Sequence, residues 1–265
     1  MSVVQDLLSF VEKNVPSHER IINGLWSVDC LYNPKNNGRI FNYKFIISQT
    51  TEQGCSYSER VSYDRNYLES LIGKDFMTEN ITDIPLLVSL IDSVYKPSIK
   101  NYKVEEFSID EKSSIKLRWR TNIIYANAMK LLNNRREAKI VNVGVVGDIL
   151  HKFMTEGYYI TGTDKDEEIT NKKMYDVVSI QSAEKTLDLV ANSDLAIITG
   201  MTISNNSIED ILQCAKEENT KIIVFAETGY NLAPYFINKG VDVYISEIFP
   251  FYIFNGKSTI KVFVK

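Results

Sequence analysis

The stretch KIVNVGVVGDILHKFMTEGYYITGTDKD, residues Lys139 to Asp166, decides the fold of this chain. It contains an apolar run, a glycine turn, a short amphipathic segment and a second apolar run that ends in acidic residues. This order is typical of the first βαβ unit of a Rossmann-type fold, in which ligands bind at the strand ends. The spacing in Gly144-Val-Val-Gly147 differs from the G-x-G-x-x-G pattern of dinucleotide-binding loops. The stretch therefore predicts where a ligand binds and leaves the chemistry open.

Apolar runs alternate with helical patterns from Lys139 onward. The runs that we expect to form strands are Ile140–Val146, Tyr158–Thr161, Leu195–Thr199, Ile222–Ala226 and Val241–Ile245. Such an alternation predicts an α/β fold with a Rossmann-like parallel sheet and helices on both of its faces. The tail YIFNGKSTIKVFVK predicts a terminal hairpin that closes one sheet edge antiparallel. Asn206, followed by Glu209, predicts a capping box at the helix after the third strand.

The residues before 113 have a mixed pattern that predicts a smaller α+β unit. After an amphipathic first helix, IINGLWSVDCLYN and RIFNYKFIIS predict two strands, joined by a hairpin turn at residues 33–38. Asp83 is expected to cap a helix that runs to Tyr95, and a polar segment without predicted structure follows.

A helix from Ser114 to Leu132 is expected to bridge the two halves of the chain. We therefore predict two domains, an N-terminal α+β domain over residues 1–125 and a Rossmann-like ligand-binding domain over residues 126–265.

The composition of the 265 residues is that of an ordinary globular protein, with 44% hydrophobic and 24% charged residues. The net charge of −4 argues against a nucleic-acid-binding protein, which usually carries a basic surface. Lys116, Arg118 and Arg120 lie close together, but acidic residues surround them, and we interpret them as a solvated face. No apolar run approaches the roughly 20 residues that span a bilayer, so we predict neither a nucleic-acid nor a membrane partner, and homo-oligomerisation stays open.

The cysteine and histidine residues narrow the chemistry further. Cys30, Cys55 and Cys214 are far apart and form no C-x-x-C motif, so we expect no disulfide framework or thiolate zinc site, and a cytoplasmic location. His18 and His151 are the only histidines. A Ser-His-Asp triad therefore has few candidates, and we interpret His151 as a surface or packed residue.

Two of the predicted strands end in loops that could bind a ligand. Gly144 and Gly147 allow a close backbone approach, and N–H groups at the next helix could hold an anion. Asp148 either caps that helix or repels a phosphate and favours a cation or an amine. Asp164, after the second strand, either binds a ribose or belongs to a solvated acidic loop. A hard-cation site made of Asp148, Asp164 and Glu227 is also conceivable.

Two further loops carry small polar groups. The first of them follows Thr199 and Gly200. Some of its polar groups must cap the next helix. Its other candidate ligand-binding residues are Met201, Thr202 and Asn205. In the second, Glu227 and Thr228 end the next strand, where Glu227 either faces the ligand or lies at the rim. No Walker A lysine and no G-x-S-x-G elbow is present, so the catalytic and metal-binding residues stay undefined.

Two segments carry a family resemblance. SDLAIITGMTISNNSIEDIL and IIVFAETGYNLAPYFINKGVDVYIS resemble the Rossmann-like putative heavy-metal chelation domain family. The matching residues are Asp194, Thr199-Gly200, Asn205 or Asn206, Pro234, Phe236 and Gly240-Val241. IINGLWSVDC and IIYANAMKLL, with Asn127-Ala128, are similar to the domain that precedes it in the family, which resembles the N-terminal domain of enolase. The loop at Val145-Val146-Gly147 departs from the family, in which Phe-Pro often follows the glycine.

The resemblance implies a two-domain protein with its pocket in the interdomain cleft and a role in handling metals. On this basis we expect a small-molecule or metal-chelate binding protein, in metal handling or metallophore biosynthesis. An enzyme that uses a nucleotide-type cofactor, S-adenosylmethionine or NAD(P), on a small polar substrate is the alternative. A structural or regulatory subunit with a vestigial pocket is a third hypothesis.

Overall fold

The chain forms two β-sheets in a computed structural model that describes residues 2–33, 40–59, 62–96 and 102–265. The N-terminal lobe contains α1 (Val3–Asn14), β1 (Gly24–Tyr32), β2 (Phe41–Gln49), β3 (Gln53–Tyr57), α2 (Arg65–Leu71) and α3 (Ile84–Val94). The three strands pair antiparallel in the order β1-β2-β3. Asp83 caps α3 by accepting a hydrogen bond from the Leu86 amide at 2.9 Å, as predicted.

The rest of the chain builds the larger sheet. Its elements are β4 (Lys103–Glu111), α4 (Ser113–Leu131), β5 (Lys139–Val143), α5 (Gly147–Thr155), β6 (Tyr159–Asp164), β7 (Lys173–Met174), β8 (Val178–Ser182), α6 (Thr186–Ala191), β9 (Leu195–Thr199), α7 (Met201–Ser204), α8 (Ile208–Glu218), β10 (Lys221–Ala226), α9 (Ala233–Asn238), β11 (Val243–Ile248) and β12 (Gly256–Val264). The nine strands lie in the order β4-β12-β11-β10-β9-β5-β6-β8-β7. Neighbours from β11 to β8 pair parallel, while β12 is antiparallel to both of its neighbours and β7 to β8.

Strand order reverses between β5 and β9. From β5 the chain proceeds to β6 and β8 on one side, and then returns to β9, β10 and β11 on the other. Such a switch point leaves a crevice at the carboxyl ends of the two strands, which is where open α/β sheets bind ligands. The fold alone therefore predicts a ligand site at the loops after Val143 and Thr199.

Both faces of this sheet are buried. Val141 and Ile198 belong to one hydrophobic core, and Ile140 and Ile197 belong to the other, as alternation along a strand requires. The first core also contains residues of α1 and α3, so the N-terminal lobe and the sheet share one continuous apolar interior. The lobe is thereby held over the sheet by burial of apolar surface, the dominant favourable term in folding.

The predicted α/β fold, with its mostly parallel sheet and smaller N-terminal unit, is confirmed. All five predicted strands are present as β5, β6, β9, β10 and β11. The polar segment before α4, however, contains β4, which the sequence reading left without structure. β12 does not form the sheet edge, because β4 pairs with its outer side. Gly256 begins β12, which pairs antiparallel with the preceding β11, so the hairpin is present but closes over residues 249–255 and not over a two-residue Asn255-Gly256 turn.

The predicted capping box at α8 is wrong. Ser207 precedes the helix, and its side chain accepts no capping hydrogen bond from the first turn. Asn205 Oδ1 accepts hydrogen bonds from the amide and hydroxyl of Ser207. Asn206 adopts a left-handed conformation with φ 60°. The turn predicted at residues 33–38 lies, apart from Asn33, outside the described residues. The domain boundary between residues 125 and 126 stays a prediction. β4 shows that residues on the N-terminal side of this boundary contribute to the larger sheet.

Candidate functional site

Two adjoining cavities open at the switch point. The first, which we name the aromatic cavity, measures about 240 Å³ and is lined mainly by Phe, Tyr and other apolar side chains. The second, which we name the acidic cavity, measures about 970 Å³ and is lined by five carboxylates. Seven residues line both cavities: Phe41, Tyr43, Tyr57, Val145, Ile169, Thr199 and Met201. The cavities are therefore two parts of one cleft between the N-terminal lobe and the strand ends.

The structure brings all the predicted site residues to this cleft. Those that line the aromatic cavity are Gly147, Asp148, Thr199, Gly200, Met201, Glu227 and Thr228. Those that line the acidic cavity are Gly144, Asp164, Thr199, Met201, Thr202 and Asn205. Their convergence follows from the parallel sheet, because the carboxyl ends of its strands meet along one edge.

The loop between β5 and α5 is held by acceptors from the protein itself. The amide of Val145 donates to Asp164 Oδ2 at 2.7 Å, and that of Val146 donates to Asn142 Oδ1 at 2.9 Å. Asp164 Oδ1 accepts from the Asp166 amide at 2.9 Å. Both oxygens of Asp164 thus bind backbone N–H groups, which a ribose hydroxyl would have to replace. Asp148 lies in the first turn of α5, which has no side-chain cap.

Gly144 and Thr199 face each other across the switch point. Gly144 has φ +74°, a conformation that favours glycine, and a Cβ there would lie 2.2 Å from Thr199 Oγ1. Thr199 is 5% exposed, and its Oγ1 has no hydrogen-bond partner in the described part of the chain. Buried hydroxyls are normally hydrogen-bonded, so this atom is a candidate for contact with a ligand.

Other polar residues of the site have structural partners. Thr202 Oγ1 donates to the carbonyl of Thr199 at 2.9 Å, and Asn205 accepts from Ser207. Thr228 Oγ1 accepts a hydrogen bond of 2.9 Å from the amide of Tyr57 on β3. The Thr228 contact therefore joins the loop after β10 to the N-terminal lobe.

Arg120, on α4, forms the charged floor of the aromatic cavity. Its Nη1 lies 2.8 Å from Glu227 Oε1 and 3.3 Å from Glu247 Oε2, and the residue is 3% exposed. Its guanidinium carbon lies 3.7 Å from the ring centre of Tyr252 and 4.5 Å from that of Phe225. The interpretation of Lys116 and Arg120 as a solvated face is wrong, because both side chains are buried, whereas Arg118 is exposed.

Glu227 and Glu247 both pair with Arg120. Burial raises the pKa of both carboxyls, and the charge of Arg120 opposes the shift. Glu247 is fully buried and also accepts a hydrogen bond of 2.7 Å from the Tyr252 amide, whereas the side chain of Glu227 is 21% exposed. Glu227 is therefore the member of the group that reaches a ligand.

A row of aromatic side chains on β2 forms one wall. The rings of Phe41 and Tyr43 stack with centres 5.9 Å apart, and those of Tyr43 and Phe45 with centres 6.3 Å apart. We missed this wall in the sequence, although RIFNYKFIIS places an aromatic residue at every second position, and period two predicts a common face. No local sequence pattern marked Arg120 as a site residue, because its carboxylate partners lie just after β10 and on β11.

The described residues do not provide the ligand group that direct binding of a metal ion requires. In residues 2–33, 40–59, 62–96 and 102–265, no three His, Cys, Asp or Glu side chains group closely enough to hold a metal ion, the proposed Asp148, Asp164 and Glu227 set included. His151 is exposed on α5, and its ring centre lies 5.0 Å from that of Tyr175. No helix among the described residues is long and apolar enough to cross a membrane.

Comparison with known proteins connects the fold to one family. The model of the DUF364 family, described as putative heavy-metal chelation, matches residues 127–243. A DUF364 protein of unknown function from Desulfitobacterium hafniense has 12% identity and a TM-score of 0.58, over 97% of this chain and 98% of that chain. Another, from Pyrococcus horikoshii, has 14% identity and a TM-score of 0.48, over 92% and 85% of the two chains. No curated protein matches the sequence.

The first of these structures shares the fold from the N-terminal lobe to the last strand, since the alignment covers nearly all of both chains. The family match falls on the segment that contains β5, β6, β8, β9, β10 and their loops, which is also the segment that forms the switch point. The family match therefore covers the strand-end loops of the cleft, while the aromatic side chains of β2 and Arg120 lie outside it.

Proposed function

We propose that the protein binds a small organic molecule, or the metal complex of one, in the cleft formed by the aromatic and acidic cavities. The observation that carries this proposal is the pair of adjoining cavities at the switch point, which share the wall of Phe41, Tyr43 and Tyr57. Apolar cavities with a few convergent polar groups are the usual form of small-molecule sites.

The family description supports a connection to metals, and the donor set favours a metal that arrives already chelated. Bare heavy-metal ions are held by several Cys, His or carboxylate side chains at once, and the described residues offer no group of three. The aromatic wall suits the flat rings of a chelating ligand. We propose that such a protein acts in metal handling or metallophore biosynthesis.

Thermal unfolding tests this proposal with nickel chloride alone, 1,10-phenanthroline alone and their one-to-one complex. A ligand that binds only the folded state raises the melting temperature, by a stabilisation of about 2.7 kcal/mol at a hundred times its Kd. We expect the complex to raise the melting temperature and nickel chloride alone to leave it unchanged. An equal rise with nickel chloride alone would show that side chains hold the metal directly.

A matched pair of variants places the binding in the cleft. Phe41→Leu removes a ring from the wall, whereas Phe107→Leu removes one from β4, where the side chain is 38% exposed and lines neither cavity. We expect the first to weaken binding of the complex about 3- to 10-fold, the range of one aromatic contact, and the second to leave it unchanged. Equal affinities in the two variants would contradict the assignment of the cleft.

The alternative of a nucleotide-dependent enzyme has less support from the geometry. The amides of Val145 and Val146, where a dinucleotide would place its phosphates, already donate to Asp164 and Asn142. NAD(P)H and S-adenosylmethionine belong in the same thermal series as direct tests of this alternative. Stabilisation by either of them, lost in Asp164→Ala, would favour the enzyme.

Two finer assignments belong to the same proposal. The resemblance of IINGLWSVDC and IIYANAMKLL to an enolase-N-terminal-like domain supports that description for residues 1–125. The three cysteines, all free thiols here, support a location in the reducing cytoplasm.

A further inference from the structure

The lining of the cleft carries an excess of negative charge. Among the described residues that line the acidic cavity, one lysine, Lys165, accompanies five carboxylates: Glu59, Asp164, Asp166, Glu168 and Asp210. In the aromatic cavity the charge of Arg120 is opposed by Glu227, with Glu247 behind it, and Asp148 adds a further acid. Walls of one sign focus their field into a cleft and concentrate ions of the opposite sign there.

Two amides of the loop after β5 are already paired with acceptors of the protein itself. In many α/β proteins the amides after the first strand bind phosphate, but here Val145 and Val146 donate theirs to Asp164 and Asn142. An anion at the amides of Val145 and Val146 would displace those acceptors and would then lie beside Asp148 and Asp164. Both the hydrogen bonds and the charges therefore disfavour a phosphate or carboxylate.

The aromatic wall suits a cation. The faces of Phe and Tyr rings carry negative electrostatic potential, so they attract positive groups above them. The same cleft already contains this contact, because the guanidinium of Arg120 lies against the rings of Tyr252 and Phe225. Phe41 and Tyr43, which line both cavities, present further rings to a ligand.

Thr199 gives an independent sign of a ligand at the junction of the cavities. It is 95% buried, lines both cavities, and its Oγ1 has no hydrogen-bond partner among the residues that the structure describes. An unpaired buried hydroxyl costs free energy unless a partner is supplied. A polar atom of a ligand that spans the two cavities would supply it.

We propose that the ligand of the cleft is a flat cation, whose ring system lies on the wall of Phe41 and Tyr43 and whose positive charge faces the acidic cavity. This inference rests on the proposed function, since it specifies the chemical class that the same cleft selects. An organic cation and a positively charged metal complex of a planar chelator share this chemistry.

Calorimetric titration with three bicyclic probes of similar shape tests the charge preference. N-methylquinolinium is a cation, quinoline is neutral at pH 7.5 and 2-naphthoate is an anion. We expect N-methylquinolinium to bind at least tenfold more tightly than 2-naphthoate, with quinoline between them, and the preference to shrink as salt is raised from 0.02 M to 0.5 M. The nickel–phenanthroline complex, a dication, is titrated beside them. Its affinity compared with that of N-methylquinolinium distinguishes a site for a metal complex from one for a purely organic cation.

Two triple variants with equal changes in net charge locate the effect. Glu59→Gln/Glu168→Gln/Asp210→Asn neutralises exposed acids of the acidic cavity, and Glu12→Gln/Glu184→Gln/Glu218→Gln neutralises exposed acids that line neither cavity. We expect the first to weaken binding of N-methylquinolinium about fivefold and the second to change it less than twofold. Exposed positions keep either variant folded.

The outcomes separate this inference from the proposed function. Equal affinity for the cation and the anion, or tighter binding of 2-naphthoate, would overturn the charge preference and leave the binding cleft intact. Equal effects of the two triple variants would show that the net charge of the whole protein causes the preference, which also overturns the inference. Absence of binding by all three probes and by the nickel–phenanthroline complex would contradict the proposed function itself.

Discussion

Gly144 and Thr199 show how tightly single residues define the cleft. One comes from the loop after β5 and the other from the end of β9, and no side chain fits between them. The contact brings the two strands of the switch point together at the place where the cavities join. A substitution at Gly144 therefore tests the packing of the cleft directly.

We expect Gly144→Ala to lower the free energy of unfolding by about 3 kcal/mol. About 1 kcal/mol arises from the left-handed backbone at φ +74°, and about 2 kcal/mol from the overlap of the new Cβ with Thr199 Oγ1. Gly73→Ala is the matched control, because Gly73 has φ +82° and nothing within 4 Å of a Cβ, so only the backbone cost of about 1 kcal/mol applies. Urea unfolding measures both, and equal losses would refute the packing argument.

Sequence reasoning found the candidate loops at this scale and missed the partners of their residues. Glycines, small polar residues and acids after apolar runs mark strand ends, so Gly144, Thr199 and Glu227 were identified from local pattern. The ion pairs of Arg120 with Glu227 and Glu247 join residues more than 100 positions apart, and no local pattern reports such a contact. Asp164 was recognised as a site residue, but its two backbone hydrogen bonds depend on the folded loop.

At the scale of elements, α4 supports the cleft through a buried lysine. Lys116 Nζ donates to the carbonyl of Gly256 at 3.0 Å and also to that of Phe254, and the side chain is fully buried. Phe254 lies in the connection between β11 and β12, and Gly256 begins β12. The same connection carries Tyr252 over Arg120. The helix thus fixes the segment that closes the aromatic cavity.

We expect Lys116→Met to lower the free energy of unfolding by about 2 kcal/mol, since hydrogen bonds from a charged donor contribute about 1.5–3 kcal/mol. Lys130→Met, in the exposed last turn of the same helix, should stay within about 0.5 kcal/mol of the unmodified protein. Chemical denaturation compares the two variants. A loss in Lys130→Met as large as in Lys116→Met would mean that the charge of α4, and not this contact, stabilises the fold.

In the larger sheet, the parallel strands that the sequence revealed are those with continuous burial. Every side chain of β9 is buried, and so are all but the first of β10, which makes their apolar runs easy to recognise. β8 has only two buried side chains in Val178–Ser182, and β4 has none in Lys103–Glu111, and the sequence pattern predicted a strand at neither. Their pairing depends on neighbouring strands, and tertiary context decides such segments.

At the scale of the whole molecule, Asp92 connects the N-terminal lobe to the larger sheet. It lies on α3 with no exposed surface, and it accepts hydrogen bonds from the amides of Asn231 at 2.7 Å and Cys55 at 3.0 Å. Asn231 follows β10 and its side chain donates to the carbonyls of Asp92 and Gln53. Burial raises the pKa of Asp92, and the backbone donors oppose that shift.

We expect Asp92→Ala to lower the free energy of unfolding by about 3 kcal/mol, because two buried N–H groups lose their acceptor. Amide hydrogen exchange should accelerate at Cys55 and Asn231 on both sides of the cleft, and much less in β5 and β9. Asp64→Ala serves as control, since Asp64 caps α2 on the exposed surface and its loss should cost about 1 kcal/mol. Unchanged exchange at Asn231 in Asp92→Ala would show that other contacts hold the lobe.

The position of β4 has a consequence for the order in which the protein folds during synthesis. Within the described part of the chain, β4 pairs with β12 alone, and β12 lies between it and β11. The ladder of β4 therefore cannot form until β12 has left the ribosome. Contacts between such distant segments are slow to form, and an unpaired strand is a template for aggregation. The glutamates at positions 105, 106 and 111 and the aspartate at 110 keep the waiting strand charged, which protects the nascent chain.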